Sequence, residues 1–132
     1  MPKKPLPLTT SLPEIAEFAQ VISTRIHGGT TLALIGPLGS GKTTFTQHLL
    51  QALGYTGSVS SPTFVLMQEY EIPKQSLHIE HFDLYRLESE TEIVQSGLTE
   101  HWGSPETVSI IEWADKAKEL LPENTIYIHF TS

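Results

Sequence analysis

The chain has 132 residues, 39% hydrophobic, 17% charged and 8% aromatic, a composition that suits one globular domain with a real core and excludes disordered and collagen-like classes. With 15 acidic against 8 basic residues the formal net charge is -7, which disfavours a free-standing nucleic-acid binder with a broad basic face. The absence of cysteine excludes a disulfide framework and thiolate zinc sites. No apolar run approaches the roughly 20 residues that cross a bilayer, so a cytoplasmic protein with no membrane partner is expected.

In chain order, residues 1–7 read as a flexible start to a single domain covering residues 1–132. Ser11-Leu12-Pro13-Glu14 reads as a helix N-cap with proline in the first turn and a capping-box glutamate. Ile15, Ala19, Ile22 and Ile26 then line one helical face up to Gly28-Gly29. Thr30 to Ile35 is a short, partly β-branched apolar run that meets Gly36, the pattern of a strand buried on both faces. Helical spacing resumes from Thr44 to Leu53 and stops at Gly54. Phe64 to Ile72 and Leu77 to Phe82 are extended segments joined by Pro73-Lys74-Gln75-Ser76, which predicts a hairpin. Ser89 to Ser96 predicts a short helix, Thr107 to Trp113 a strand, Ala114 to Leu121 a helix and Thr125 to Phe130 a last strand. The fold class expected is therefore α/β: a P-loop NTPase-like three-layer sandwich with a central, mostly parallel sheet and one antiparallel hairpin.

The charge is unevenly spread. Up to Ile79 there are five basic and four acidic residues; from Glu80 onward there are eleven acidic residues and only Arg86, Lys116 and Lys118. The second half thus carries the excess, either as a solvated face or as a docking surface.

The strongest chemical signal is Gly36-Pro37-Leu38-Gly39-Ser40-Gly41-Lys42-Thr43, which matches G-x-x-x-x-G-K-[ST] between a strand and a helix. Glycines there let successive N–H groups turn inward onto phosphate oxygens, and the following helix adds its positive end. Lys42 would reach the β and γ phosphates, and the Thr43 hydroxyl would complete a magnesium shell. Gly36, Leu38, Gly39, Ser40, Gly41, Lys42, Thr43 and Thr44 are the candidate nucleotide-binding residues.

Hydrolysis needs a carboxylate to orient the metal or the water. Asp83 and Glu112 each end an apolar strand, where ligand crevices form in open α/β sheets, and are the candidates. Ser60-Ser61-Pro62-Thr63 is hydroxyl-rich, and Thr63 could approach a γ-phosphate as a switch. Trp113 follows Glu112 and could lie beside the nucleotide. The six histidines form no helical i, i+4 pair, and no histidine metal cluster is expected; His78 and His81 should face opposite sides of a strand. No N-K-x-D segment reads guanine, which favours ATP over GTP.

Four segments in order, Gly36 to Phe45, Ser61-Pro62-Thr63-Phe64, His81-Phe82-Asp83-Leu84-Tyr85-Arg86-Leu87 and Ile111-Glu112-Trp113, together resemble the TsaE family, small bacterial P-loop ATPases required for threonylcarbamoyladenosine formation in tRNA. The resemblance implies ATP phosphates on Gly39 to Thr44, Mg2+ on Thr43 and Glu112, a switch role for Thr63, and Asp83 near the nucleotide for hydrolysis. It implies adenine contacts at Ser11 and Leu12. It also implies a slow, magnesium-dependent, partner-stimulated ATPase that supports turnover of the TsaB and TsaD proteins, which modify position 37 of tRNAs reading codons that begin with A. Contact with tRNA would be indirect. Where that family often continues the Glu-Trp pair with proline, this chain has Ala114-Asp115, and longer relatives add at least one strand after Phe130. Two rivals stand beside this reading: a small-molecule P-loop kinase, which would want a basic lid that no arginine-rich segment supplies, and a non-catalytic module in which ATP only stabilises a docking state.

Overall fold

The computed structural model describes residues 8–11, 14–62 and 65–131. Six strands form one sheet: β1 (Leu8–Ser11), β2 (Thr31–Ile35), β3 (Met67–Ile72), β4 (Leu77–Asp83), β5 (Thr107–Glu112) and β6 (Ile126–Thr131). Their order across the sheet is β1-β6-β2-β5-β4-β3, and every pairing is parallel except the β3–β4 hairpin. Central strands β2 and β5 are buried nearly end to end because both of their faces are covered.

On one face lie α1 (Ile15–Ser23) and α2 (Lys42–Leu53), whose buried Ile22, Phe45 and Leu49 meet Leu34, Ile79 and Ile110 of the sheet. On the other lie α3 (Glu90–Gln95), with its buried Ile93, and two 3-10 segments, Leu98–His101 and Ala114–Leu120, over Ala33, Phe82 and Ile111 of the sheet. Ile110 and Ile111 thus point to opposite cores, as the two-residue strand period requires. The expected three-layer sandwich is the observed architecture. Among the described residues no helix is long and apolar enough to cross a membrane.

Three elements differ from the sequence expectation. Ser11 is not the N-cap of the first helix: it ends β1, an edge strand paired in parallel with β6, opposite Thr131, and Glu14 occupies the N-cap position with no capping bond from its side chain. The helix itself stops at Ser23, and Ile26 packs on the core from the loop beyond. The first hairpin strand starts at Met67 rather than Phe64 because Leu66 adopts a left-handed φ of 69°, which breaks extended pairing. Ala114–Leu120 is 3-10 rather than α-helical and is interrupted at Ala117, whose ψ of 28° with φ of -125° leaves helical space.

α2 delivers the phosphate-loop residues, and Phe45 anchors it. Its fully buried ring lies 5.9 Å from that of Phe18 and 5.6 Å from that of Phe130. Replacing it with alanine removes both contacts and leaves a cavity, so Phe45→Ala is expected to lose about 3–5 kcal/mol of stability in urea denaturation. Val94→Ala, at a half-exposed position, is expected to change stability by less than about 0.5 kcal/mol in the same assay.

Candidate functional site

The loop from Gly36 to Gly41 leaves β2 at its C-terminal end and turns directly into α2. Two of its glycines are structurally required. Gly36 runs so close to β6 that a Cβ would sit 2.8 Å from the Phe130 carbonyl oxygen and 2.8 Å from Ser40 Oγ. Gly41 precedes the helix with a φ of 107°, closed to other residues, and Gly39 also has positive φ. The first N–H groups of α2 therefore point toward the space above the sheet.

That space is a cleft of about 220 Å³, lined by loop and helix residues on one side and by Ser61, Asp83, Glu112 and Trp113 on the other. Pockets for whole drug-sized ligands run about 300–1,000 Å³, so this one suits a polar tail rather than an entire nucleotide. Asp83 and Glu112 sit directly opposite each other at the ends of the parallel strands β4 and β5, each 3% exposed. Leu34 of β2 is also opposite Glu112, which puts both carboxylates beside the loop exit.

Glu112 is held from two sides. His81 Nε2–H donates to its Oε2 at 2.6 Å, and Thr43 Oγ1 donates to the same oxygen at 3.2 Å. His81 and Asp83 share one face of β4, so the imidazole reaches diagonally to the neighbouring strand. Its buried Nδ1 has no partner among the described residues, as a bare acceptor tolerates better than a bare N–H. Asp83 Oδ1 accepts from the Tyr85 N–H at 2.9 Å and Oδ2 from Ser61 Oγ at 3.4 Å, while the Asp83 N–H donates to the Leu66 carbonyl at 3.0 Å. Ser61 and Leu66 are therefore both bonded to Asp83; Thr63 lies outside the described residues.

Lys42 is curled back on its own loop. Its Nζ donates to the carbonyls of Gly36 and Pro37 and lies 4.2 Å from the centre of the Trp113 ring, whose backbone is held at a positive φ of 59°. Burial pulls the ammonium below its usual pKa, with Glu112, Asp83 and Asp115 pulling against it. Among the described residues that line the cleft, Lys42 is the one cation.

The donor set suits a hard divalent cation. Adjacent ligands around octahedral magnesium at about 2.0–2.1 Å stand about 2.9 Å apart, close to the separation of Thr43 Oγ1 and Glu112 Oε2.

Of the residues singled out from sequence, Leu38, Gly39, Gly41, Lys42, Thr43, Thr44, Asp83, Glu112 and Trp113 line this one cleft. Gly36 and Ser40 lie beneath it, Ser40 being buried with its hydroxyl unpartnered among the described residues. The backbone of Ser11 ends β1, two strands from β2 in the sheet; its side chain and Leu12 lie outside what is described. His81 and Ser61 belong to the arrangement and were not among the sequence candidates. His81 was findable, since it alternates with Asp83 on one strand face.

A glycine loop opening a helix, facing two carboxylates on adjacent parallel strands, defines a P-loop-like α/β protein. The family model described as "Threonylcarbamoyl adenosine biosynthesis protein TsaE" matches residues 9–132, and the chain belongs to the TsaE family. It is 40% identical over 96 residues to the tRNA threonylcarbamoyladenosine biosynthesis protein TsaE of Haemophilus influenzae, covering 73% of this chain and 59% of that protein. It is 37% identical over 120 residues to the protein of the same description from Bacillus subtilis, covering 91% of this chain and 73% of the relative. The crystal structure of Bacillus subtilis YdiB superposes with a TM-score of 0.65 at 33% identity, over 86% of this chain and 67% of that one.

His81→Leu removes the shorter of the two bonds on a nearly buried carboxylate. As the loss of a hydrogen bond to a charged, nearly buried group, it is expected to cost about 1.5–3 kcal/mol in denaturant unfolding at pH 7. Combining it with Glu112→Leu, which removes the stranded charge as well, should restore part of the loss.

Proposed function

We propose that this protein binds ATP with Mg2+ and hydrolyses it slowly in the cytoplasm, supporting turnover of the TsaB–TsaD complex in threonylcarbamoyladenosine formation at position 37 of tRNAs that read codons beginning with A. The observation that carries the reading is the convergence of Lys42, Thr43, Asp83 and Glu112 on one cleft at the C-terminal ends of parallel strands. Family membership supplies the pathway; the arrangement of side chains supplies the chemistry.

The loop N–H groups and the start of α2 bind the phosphates, and the small cleft leaves the base outside. Lys42 exchanges its two loop carbonyls for β- and γ-phosphate oxygens, which recovers in charge-assisted bonds what it gives up. Thr43 and Glu112 hold the magnesium ion, which when bound offsets negative charge on the phosphates. Asp83 stands next to Glu112 with one oxygen toward Ser61, placed to orient or accept a proton from the attacking water. Thr63, in the segment between Ser61 and Leu66, senses the γ-phosphate. Arginines are remote or peripheral: Arg25 follows α1 near the end of the sheet where β5 begins, since Gly29 N–H bonds the Thr107 carbonyl, and Arg86 follows β4 on an exposed turn. With Lys42 as the cleft's cation, stabilisation of the transition state is incomplete, and docking of the partner complex supplies or positions the missing group. The acidic half from Glu80 onward offers a surface for a basic partner, and tRNA is contacted only through that partner.

Reconstituted tRNA modification with TsaB, TsaD and either wild-type protein or Lys42→Ala tests the whole reading. Modification is expected to depend on the wild-type protein and to fail with Lys42→Ala; modification that proceeds equally without the protein contradicts it. Asp83→Asn is expected to lower ATP turnover by about 100-fold or more, the usual worth of a general base, while ATP affinity in equilibrium titration changes little. Turnover that is unchanged by saturating partner complex would remove the coupling.

A further inference from the structure

A second group of metal-ligating side chains lies at the far end of the hairpin. Glu69 and Glu71 of β3 and His78 and Glu80 of β4 share one sheet face, with Glu69 directly opposite Glu80 and Glu71 directly opposite His78. His101, from the Leu98–His101 segment, closes over them. Two carboxylates directly across an antiparallel pair repel each other, and Glu80 is 1% exposed, so water does little to screen that repulsion.

The imidazole of His78 is oriented in a particular way. Its Nδ1 faces Glu71 Oε1, and its Nε2 faces Glu69 Oε1 at 3.1 Å and Glu80 Oε2 at 3.2 Å. Against the pull of burial, the surrounding carboxylates raise the His78 pKa and so favour a cation at this point; with Nδ1–H donating to Glu71, a metal ion can replace the proton on Nε2 between Glu69 and Glu80. This is the carboxylate–histidine–metal arrangement, in which the outer carboxylate sets the tautomer and raises the basicity of the ligating nitrogen. His101 Nδ1 adds a further donor 2.8 Å from Glu80 Oε2.

The spacing selects the ion. Tetrahedral zinc, with nitrogen and oxygen ligands at about 2.0–2.2 Å, puts neighbouring ligand atoms about 3.3 Å apart. The contacts at His78 have that separation, and the ligand atoms of Glu69, His78 and Glu80 all lie within 4.8 Å of one another. An imidazole ligand disfavours magnesium and calcium, and two carboxylates balance a doubly charged ion. We infer that Glu69 Oε1, His78 Nε2 and Glu80 Oε2 form a zinc site with a fourth position left for water, Glu71 supporting His78 from behind and His101 supporting Glu80. The site is separate from the nucleotide cleft: His78 and Asp83 stand five residues apart on β4, about 17 Å at the usual rise. Zinc there ties the two strands of the edge hairpin to each other.

The test uses the full chain, stripped with a chelator and titrated with Zn2+ alone, without nucleotide. Calorimetry and metal analysis after gel filtration should find one zinc per chain, with a dissociation constant in the micromolar range or tighter. Cobalt substituted for zinc should give the intense visible bands of a four-coordinate ion. His78→Gln should weaken binding at least 100-fold, and His101→Asn, at an exposed position that does not threaten folding, about 10-fold. Glu112→Gln should leave zinc binding unchanged. Absence of saturable binding, binding that persists in both histidine variants, or binding lost in Glu112→Gln would each overturn the site.

Discussion

The carboxylate of Glu112 is the fixed point of the site. It ends a strand buried on both faces and is itself almost out of water, a placement that is costly unless its lone pairs are used. His81 from β4 and Thr43 from α2 both spend their donors on one of its oxygens, so a single atom joins the sheet to the helix that carries the phosphate loop. The position of Lys42 follows, because it is the residue before Thr43 and the first of α2. The position of Asp83 follows as well, because the β4–β5 register that brings His81 within reach of Glu112 also sets Asp83 opposite it. Packing around Phe45 and the close approach of Gly36 to Phe130 hold the loop to that frame.

The surrounding polar contacts are of a kind that can be exchanged. Lys42 rests on two carbonyls of its own loop, and Asp83 bonds the Ser61 hydroxyl and the Leu66 carbonyl. Under the proposed function, a phosphate tail in the cleft would compete with those loop carbonyls for Lys42.

The phosphate loop, both candidate carboxylates and the strands behind them were legible in the sequence because each is a local signal: glycines at fixed offsets, short apolar runs, an acid where each run ends. What escaped was non-local. β1 is four residues long, and its partner strand β6 lies at the opposite end of the chain, so no periodicity announces it. Ser11 looks like a cap because Ser-x-x-Glu is a capping pattern, but backbone pairing with β6 claims it instead. Ala114–Leu120 has helical spacing, yet Trp113 enters it with positive φ and Ala117 breaks it, constraints set by the turn out of β5. The histidine and glutamate group on the hairpin was passed over because a search at helical spacing cannot see residues that strand pairing brings face to face.

If Glu112 and Thr43 hold the ion that engages ATP, the affinity for ATP must depend on magnesium through Glu112. The decisive measurement is a calorimetric titration of ATP into wild-type protein and into Glu112→Gln, each with and without Mg2+. The wild type should bind ATP more tightly with Mg2+, and the variant should bind it equally weakly under both conditions while remaining folded. An undiminished magnesium effect in Glu112→Gln would contradict the account.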